Sequence, residues 1–152
     1  MLQVLLIKGV PLQYTFCMNR ANLICIIDDD PIFVFAAKKC LKASNLCDKV
    51  SVYKNGLEAI NNIKLVAESG EVLPDVIFLD INMPIMDGWQ FLDEFIKLRI
   101  SKNITVFIVS SSVDPADIEK SETYSEVQSF LVKPINKVSV LKALREVYEK
   151  KV

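Results

Sequence analysis

Five short apolar runs, each followed by a helix-length segment, constrain this chain more than any other feature it has. The runs cover residues 23–27, 50–53, 76–79, 105–109 and 129–132 and are rich in Ile, Val and Phe. They are too short for helices, and their near-continuous apolar character is that of strands buried on both faces. Between them lie helix starts. Asp30-Pro31 and Asp114-Pro115 each set a capping side chain before a proline, whose missing N–H is no loss at the first helical position. The first helix is expected to run to about residue 43, a second from about 57 to 68 behind Asn55-Gly56, and a third over 89–98. The last helix carries Val138, Leu141, Leu144, Val147 and Tyr148 on one face. Strand–helix units in series fold as a parallel sheet with helices on both sides. The fold expected is a doubly wound α/β domain with five parallel strands.

A length of 152 residues suits one such domain. With 51% hydrophobic and 24% charged residues, a packed core is expected rather than disorder. The 18 basic and 19 acidic side chains leave a net charge of −1, so no basic field points to nucleic acid or to an anionic membrane. No apolar run approaches the roughly 20 residues of a spanning helix, and a cytoplasmic protein is expected. Histidine is absent, which removes Ser-His-Asp and Cys-His nucleophiles and histidine metal ligands. The four cysteines, Cys17, Cys25, Cys40 and Cys47, form no CxxC pair and read as free thiols. Residues 1–20 fit neither the strand–helix pattern nor a secretory signal. They are read as an extension outside a domain spanning 21–152, with Met18 as the expected true start.

The polar residues fall at one end of this frame. Asp28-Asp29-Asp30 follow the first strand, Asp80 the third, Ser110-Ser111-Ser112 the fourth and Lys133-Pro134 the fifth. In an open parallel sheet the functional crevice lies at the carboxyl ends of the strands. Three carboxylates converging there repel one another and raise their own pKa values unless a cation joins them. Hard oxygen ligands with an open coordination sphere suit Mg²⁺. A lysine ammonium and a serine hydroxyl beside it could hold further phosphoryl oxygens, a set built for phosphoryl transfer to a carboxylate.

These residues resemble the receiver domain of bacterial two-component response regulators, the chemotaxis-regulator-like family. The match runs from about Leu23 to Val152 and rests on Asp28-Asp29, Asp80-Ile-Asn82-Met-Pro84-Ile-Met-Asp87-Gly88, Ser110 and Phe130-Leu-Val-Lys133-Pro134. The resemblance implies a flavodoxin-like strand order 2-1-3-4-5. It implies that Asp80 accepts a phosphoryl group from the phosphohistidine of a sensor histidine kinase or phosphotransfer protein. Asp29, Asp80 and the Asn82 carbonyl would bind Mg²⁺, with Asp28 helping through water. Lys133 would contact the phosphoryl group, Ser110 would hold the position of the switch hydroxyl, and Phe130 that of the rotating aromatic. Lys133-Pro134 would be a cis bond that aims the lysine inward.

Each assignment has a plainer competitor. Asp30 reads as the helix cap alone, and Asp87 and Gly88 as structural residues shaping the third helix's start. Asp28 and Asp29 could be solvated loop acids, Asp80 a turn residue and Lys133 a surface lysine. Ser110 has serine neighbours one register away, and an aromatic such as Phe130 is often plain core. The reading that joins them all is a stand-alone phosphorylation-dependent switch rather than an enzyme. Its output would pass through an unknown protein target, and it would be a monomer or a phosphorylation-dependent dimer. Two other readings are an aspartate-nucleophile phosphatase, whose DxD pair should follow the first strand, and a pseudo-receiver, against which the intact Asp, Ser and Lys set argues.

Overall fold

Helix caps divide the chain where the sequence predicts, and the strands lie between them. The computed structural model describes residues 20–149; residues 1–19 of the expected extension, Met18 and Cys17 among them, lie outside the described residues. The strands are β1 (Ala21–Ile27), β2 (Cys47–Tyr53), β3 (Val76–Asp80), β4 (Thr105–Ser110) and β5 (Val127–Val132). The helices are α1 (Pro31–Ser44), α2 (Gly56–Ser69), α3 (Gly88–Lys97), α4 (Pro115–Ser121) and α5 (Lys137–Glu149). Asp30, Asn55, Asp87 and Asp114 cap the first four, each accepting a backbone N–H from the first turn, which satisfies a donor that has no partner inside the helix. Asn45 and Gly70 end α1 and α2 in the left-handed conformation.

All neighbouring strands pair in parallel, in the order β2-β1-β3-β4-β5. The sheet parts two hydrophobic cores. On one face Ile24, Ile26, Phe78, Phe107 and Val109 pack against Phe33, Ala37 and Leu41 of α1 and Val140, Leu144 and Val147 of α5. On the other, Cys25, Ile27, Ile77, Leu79 and Ile108 pack against Ile60 and Ile63 of α2 and Phe91, Leu92 and Phe95 of α3. Each fully buried large side chain contributes roughly 1.5–3 kcal/mol against conformational entropy.

Two expectations need correction. Continuous burial holds for β3 and nearly so for β1 and β4, but β2 and β5 are half-buried along most of their length. They are the sheet's edges, so each has one uncovered flank; β2 also begins at Cys47, where backbone pairing with Ala21 tolerates polar Asp48 and Lys49. In α5 the inward face is Val140, Ala143, Leu144, Val147 and Tyr148, while Val138 is 73% exposed. Val138 stands two residues, about 200°, away from Val140 around the helix, so the two cannot share a face. Cys25 is buried and Cys40 and Cys47 half-buried, all three free. Burial pushes the Cys25 thiol up to about 12, which leaves it inert as a nucleophile.

Candidate functional site

The acidic residues meet because β1 and β3 are neighbours. Ile27 pairs with Leu79, so Asp28 and Asp80 leave adjacent strands at the same level. Asp28, Asp29 and Asp80 each offer a carboxylate oxygen, all within 4.8 Å of one another. Asp28 and Asp80 are buried, whereas Asp29 faces solvent. Asp30 turns away as the α1 cap, accepting from the Ile32 N–H at 3.0 Å. The Asp30 N–H itself donates to Asp28 Oδ1 at 2.9 Å, and the Asn82 N–H donates to Asp80 Oδ1 at 3.1 Å. One oxygen of each buried acid is thus fixed by the backbone and the other is directed to the crevice.

Lys133 closes the cluster. Its Nζ lies 2.6 Å from Asp28 Oδ2 and 3.7 Å from Asp80 Oδ2, and the ammonium sits over the Phe33 ring, 4.4 Å from the centroid. Among the described residues Asp28 Oδ2 has no hydrogen-bond partner, so this ion contact is its close partner. The Lys133-Pro134 bond is cis, as expected, and the Lys133 N–H donates to the Ser110 carbonyl at 2.8 Å. That bond holds the ends of β4 and β5 side by side. Ser110 is fully buried at the end of β4, and its Oγ accepts from the Ser112 N–H at 3.2 Å. Phe130 is half-buried and joins the second core from the edge strand. With Val113, Ile118 and Ser121 it lines a cavity of about 380 Å³ between α4 and β5.

The loop from Ile81 to Asp87 is held by close backbone approach. The Met86 N–H donates to the Pro84 carbonyl at 2.8 Å, a three-residue turn with Ile85 at φ 71, a conformation that strains a β-branched residue. The Gly88 N–H donates to the Ile81 carbonyl, and a Cβ on Gly88 would meet the Asp80 carbonyl oxygen at 2.6 Å. Asp87 and Gln90 form a reciprocal capping box, so Asp87 and Gly88 are structural, as read.

Charge and burial set the chemistry. Burial foremost, then the Asp28 charge, raises the Asp80 carboxyl from 3.8 to about 6; the Asn82 N–H and the Lys133 ammonium oppose the rise. Three carboxylates within 4.8 Å of one another, hard donors throughout, fit a small divalent cation. Asp28, Asp29, Asp80, Asn82, Ser110 and Lys133 all gather at this end of the sheet, while Phe130 lies at its flank. The Phe33–Lys133 contact went unread in the sequence, as did the stack of Trp89 on Tyr124 at 5.9 Å with Lys120 over the Trp89 ring. Helical phase from the Asp30 cap would have turned Phe33 toward the sheet; no signal gives its partner.

The family model of the response regulator receiver domain matches residues 24–145. This chain belongs to the receiver domain family. Receiver domains are phosphoacceptor switches of two-component systems. The chain is 31% identical to the sensor histidine kinase CheAY of Helicobacter pylori over 84% of its own length, but it spans 16% of that protein. Against the chemotaxis protein CheY of Listeria monocytogenes it is 29% identical, covering 80% of this chain and 94% of CheY. A two component response regulator from Cytophaga hutchinsonii superposes with a TM-score of 0.78 at 26% identity, over 86% of this receiver and 99% of that chain. Among the described residues no helix is long and apolar enough to cross a membrane.

Proposed function

We propose that this receiver takes a phosphoryl group onto Asp80 from the phosphohistidine of a histidine kinase or phosphotransfer protein and passes the signal to a protein partner by changing shape. The observation that carries the reading is the meeting of three carboxylates within 4.8 Å with a lysine ammonium 3.7 Å from Asp80 Oδ2. In the transfer an Asp80 oxygen attacks phosphorus, the donor's N–P bond breaks as the O–P bond forms, and the donor nitrogen leaves with the electron pair and is then protonated. Asp28, Asp29, Asp80 and the Asn82 carbonyl are the groups that would hold Mg²⁺. When bound, that ion supplies positive charge to offset the carboxylates and the incoming phosphoryl oxygens. Lys133 donates to a phosphoryl oxygen, and the Ser110 hydroxyl takes another.

The switch follows from the same contacts. Ser110 moving to the phosphoryl group would draw the segment after β4 and leave room into which Phe130 rotates, beside the cavity under α4. A phosphatase reading is less well supported, because Asp80, the acid that accepts the Asn82 N–H, follows the third strand, while Asp30 after the first strand is engaged as the α1 cap. The test is incubation with phosphoramidate and Mg²⁺, read by intact mass. One phosphoryl group per chain, lost in Asp80→Asn, is expected. A parent protein that gains no mass, or an Asp80→Asn variant that gains as much, would overturn the reading.

A further inference from the structure

We propose that Phe33 is a positioning residue for the phosphoryl transfer: its ring face is the seat that holds the Lys133 ammonium in the crevice. This rests on the function proposed above and assigns a residue that the acidic cluster does not include. Three observations carry it. The Nζ itself, and not the aliphatic stem, stands over the ring at 4.4 Å, well within the range at which a ring quadrupole attracts a cation. The lysine side chain is 14% exposed and Phe33 is 6% exposed, so little water screens the pair. Its other close partners are the two carboxylates, at 2.6 and 3.7 Å.

The geometry makes the aromatic face the one contact that need not be surrendered. Asp28 is the ammonium's strongest partner at rest, yet its carboxylate is required by the cation site. Lys133 must therefore leave Asp28 for the phosphoryl oxygens on Asp80. A π face attracts the charge without fixing any of its three N–H donors in direction. It thus lets the ammonium turn from one acid to the other while staying desolvated. The Asp30-Pro31 cap places Phe33 on the first turn of α1, facing the sheet, so the element that follows the acidic pair also carries the seat.

The test is a double-mutant cycle on the rate of Asp80 phosphorylation by phosphoramidate with Mg²⁺, using Phe33→Leu, Phe33→Tyr and Lys133→Ala. Phe33→Leu is expected to slow the reaction about three- to tenfold, Phe33→Tyr to restore most of the rate, and Phe33→Leu to have no further effect in the Lys133→Ala background. Should the leucine variant fail to fold, Phe33→Met makes the same comparison. A parent that is phosphorylated and slowed by Lys133→Ala, but not by Phe33→Leu, overturns the seat alone. So does an equal loss from Phe33→Leu with and without the lysine, which would be general damage to the core. A parent that takes no phosphoryl group overturns the proposed function itself.

Discussion

Asp80 is the residue at which the resting protein stores its electrostatic cost. Its carboxyl is raised from 3.8 to about 6, so between those values the folded chain holds a proton that the unfolded chain has released. The sign follows from linkage: this group's contribution is fully present below 3.8 and is lost as pH rises through about 6. Metal-free protein should therefore melt at a lower temperature at pH 7 than at pH 5 by more than Asp80→Asn does. At pH 7 the Asn variant should be the more stable of the two by about 2–4 °C. Millimolar-range Mg²⁺ competes with that proton, so it should raise the parent's melting temperature at pH 7 and lose the effect as pH falls below about 6. Asp29→Ala removes an exposed carboxylate and should abolish the Mg²⁺ response without unfolding the chain. Thermal melts across pH 5–8 with and without Mg²⁺ check all of this; a parent curve indifferent to Mg²⁺ at pH 7 counts against the site.

The segment joining β3 to α3 is fixed by space rather than by hydrogen bonds alone. A methyl group on Gly88 would press on the Asp80 carbonyl oxygen at 2.6 Å and the Ile81 Cα at 2.7 Å, both backbone atoms that cannot turn aside. Gly88→Ala should cost about 1–3 kcal/mol in urea unfolding. Because the displaced atom belongs to Asp80 itself, phosphorylation should slow as well. Gly70→Ala is the control, open space with only its φ of 75 to strain it, and it should leave phosphorylation alone. At this scale much was legible beforehand. Strand ends, four helix starts and the separation of Asp30 from Asp28 and Asp29 could all be read, because apolar runs and Asp-Pro caps are local signals. On α5 the sequence signal errs at Val138 alone, an apolar residue that the fold leaves 73% exposed, while Leu141 packs partly buried against the core; hydrophobicity alone does not set the phase. Which strands are edges depends on sheet order, a non-local property that came from the resemblance and not from the residues. Phe33 under Lys133 is a contact across 100 positions, and nothing in either neighbourhood announces it.

Across the molecule, α4 is the least anchored helix: of its seven residues Ser121 alone is buried, and the cavity lies beneath it. Beryllofluoride with Mg²⁺ should alter amide exchange over residues 110–118 and near Phe130. Protection that changes only beside Asp80 would mean that no signal leaves the crevice. The parting of the interior by the sheet has a separate, thermodynamic consequence. Phe78 and Phe107 stack at 5.6 Å in one core, and Phe91 stands in the other. Phe78→Leu with Phe107→Leu should be non-additive by about 0.5 kcal/mol or more, whereas Phe78→Leu with Phe91→Leu should sum to within that margin. If so, the two halves of the interior tolerate sequence change as independent reservoirs. A lineage could then rework the core under α2 and α3 while the face that seats Lys133 stays as it is.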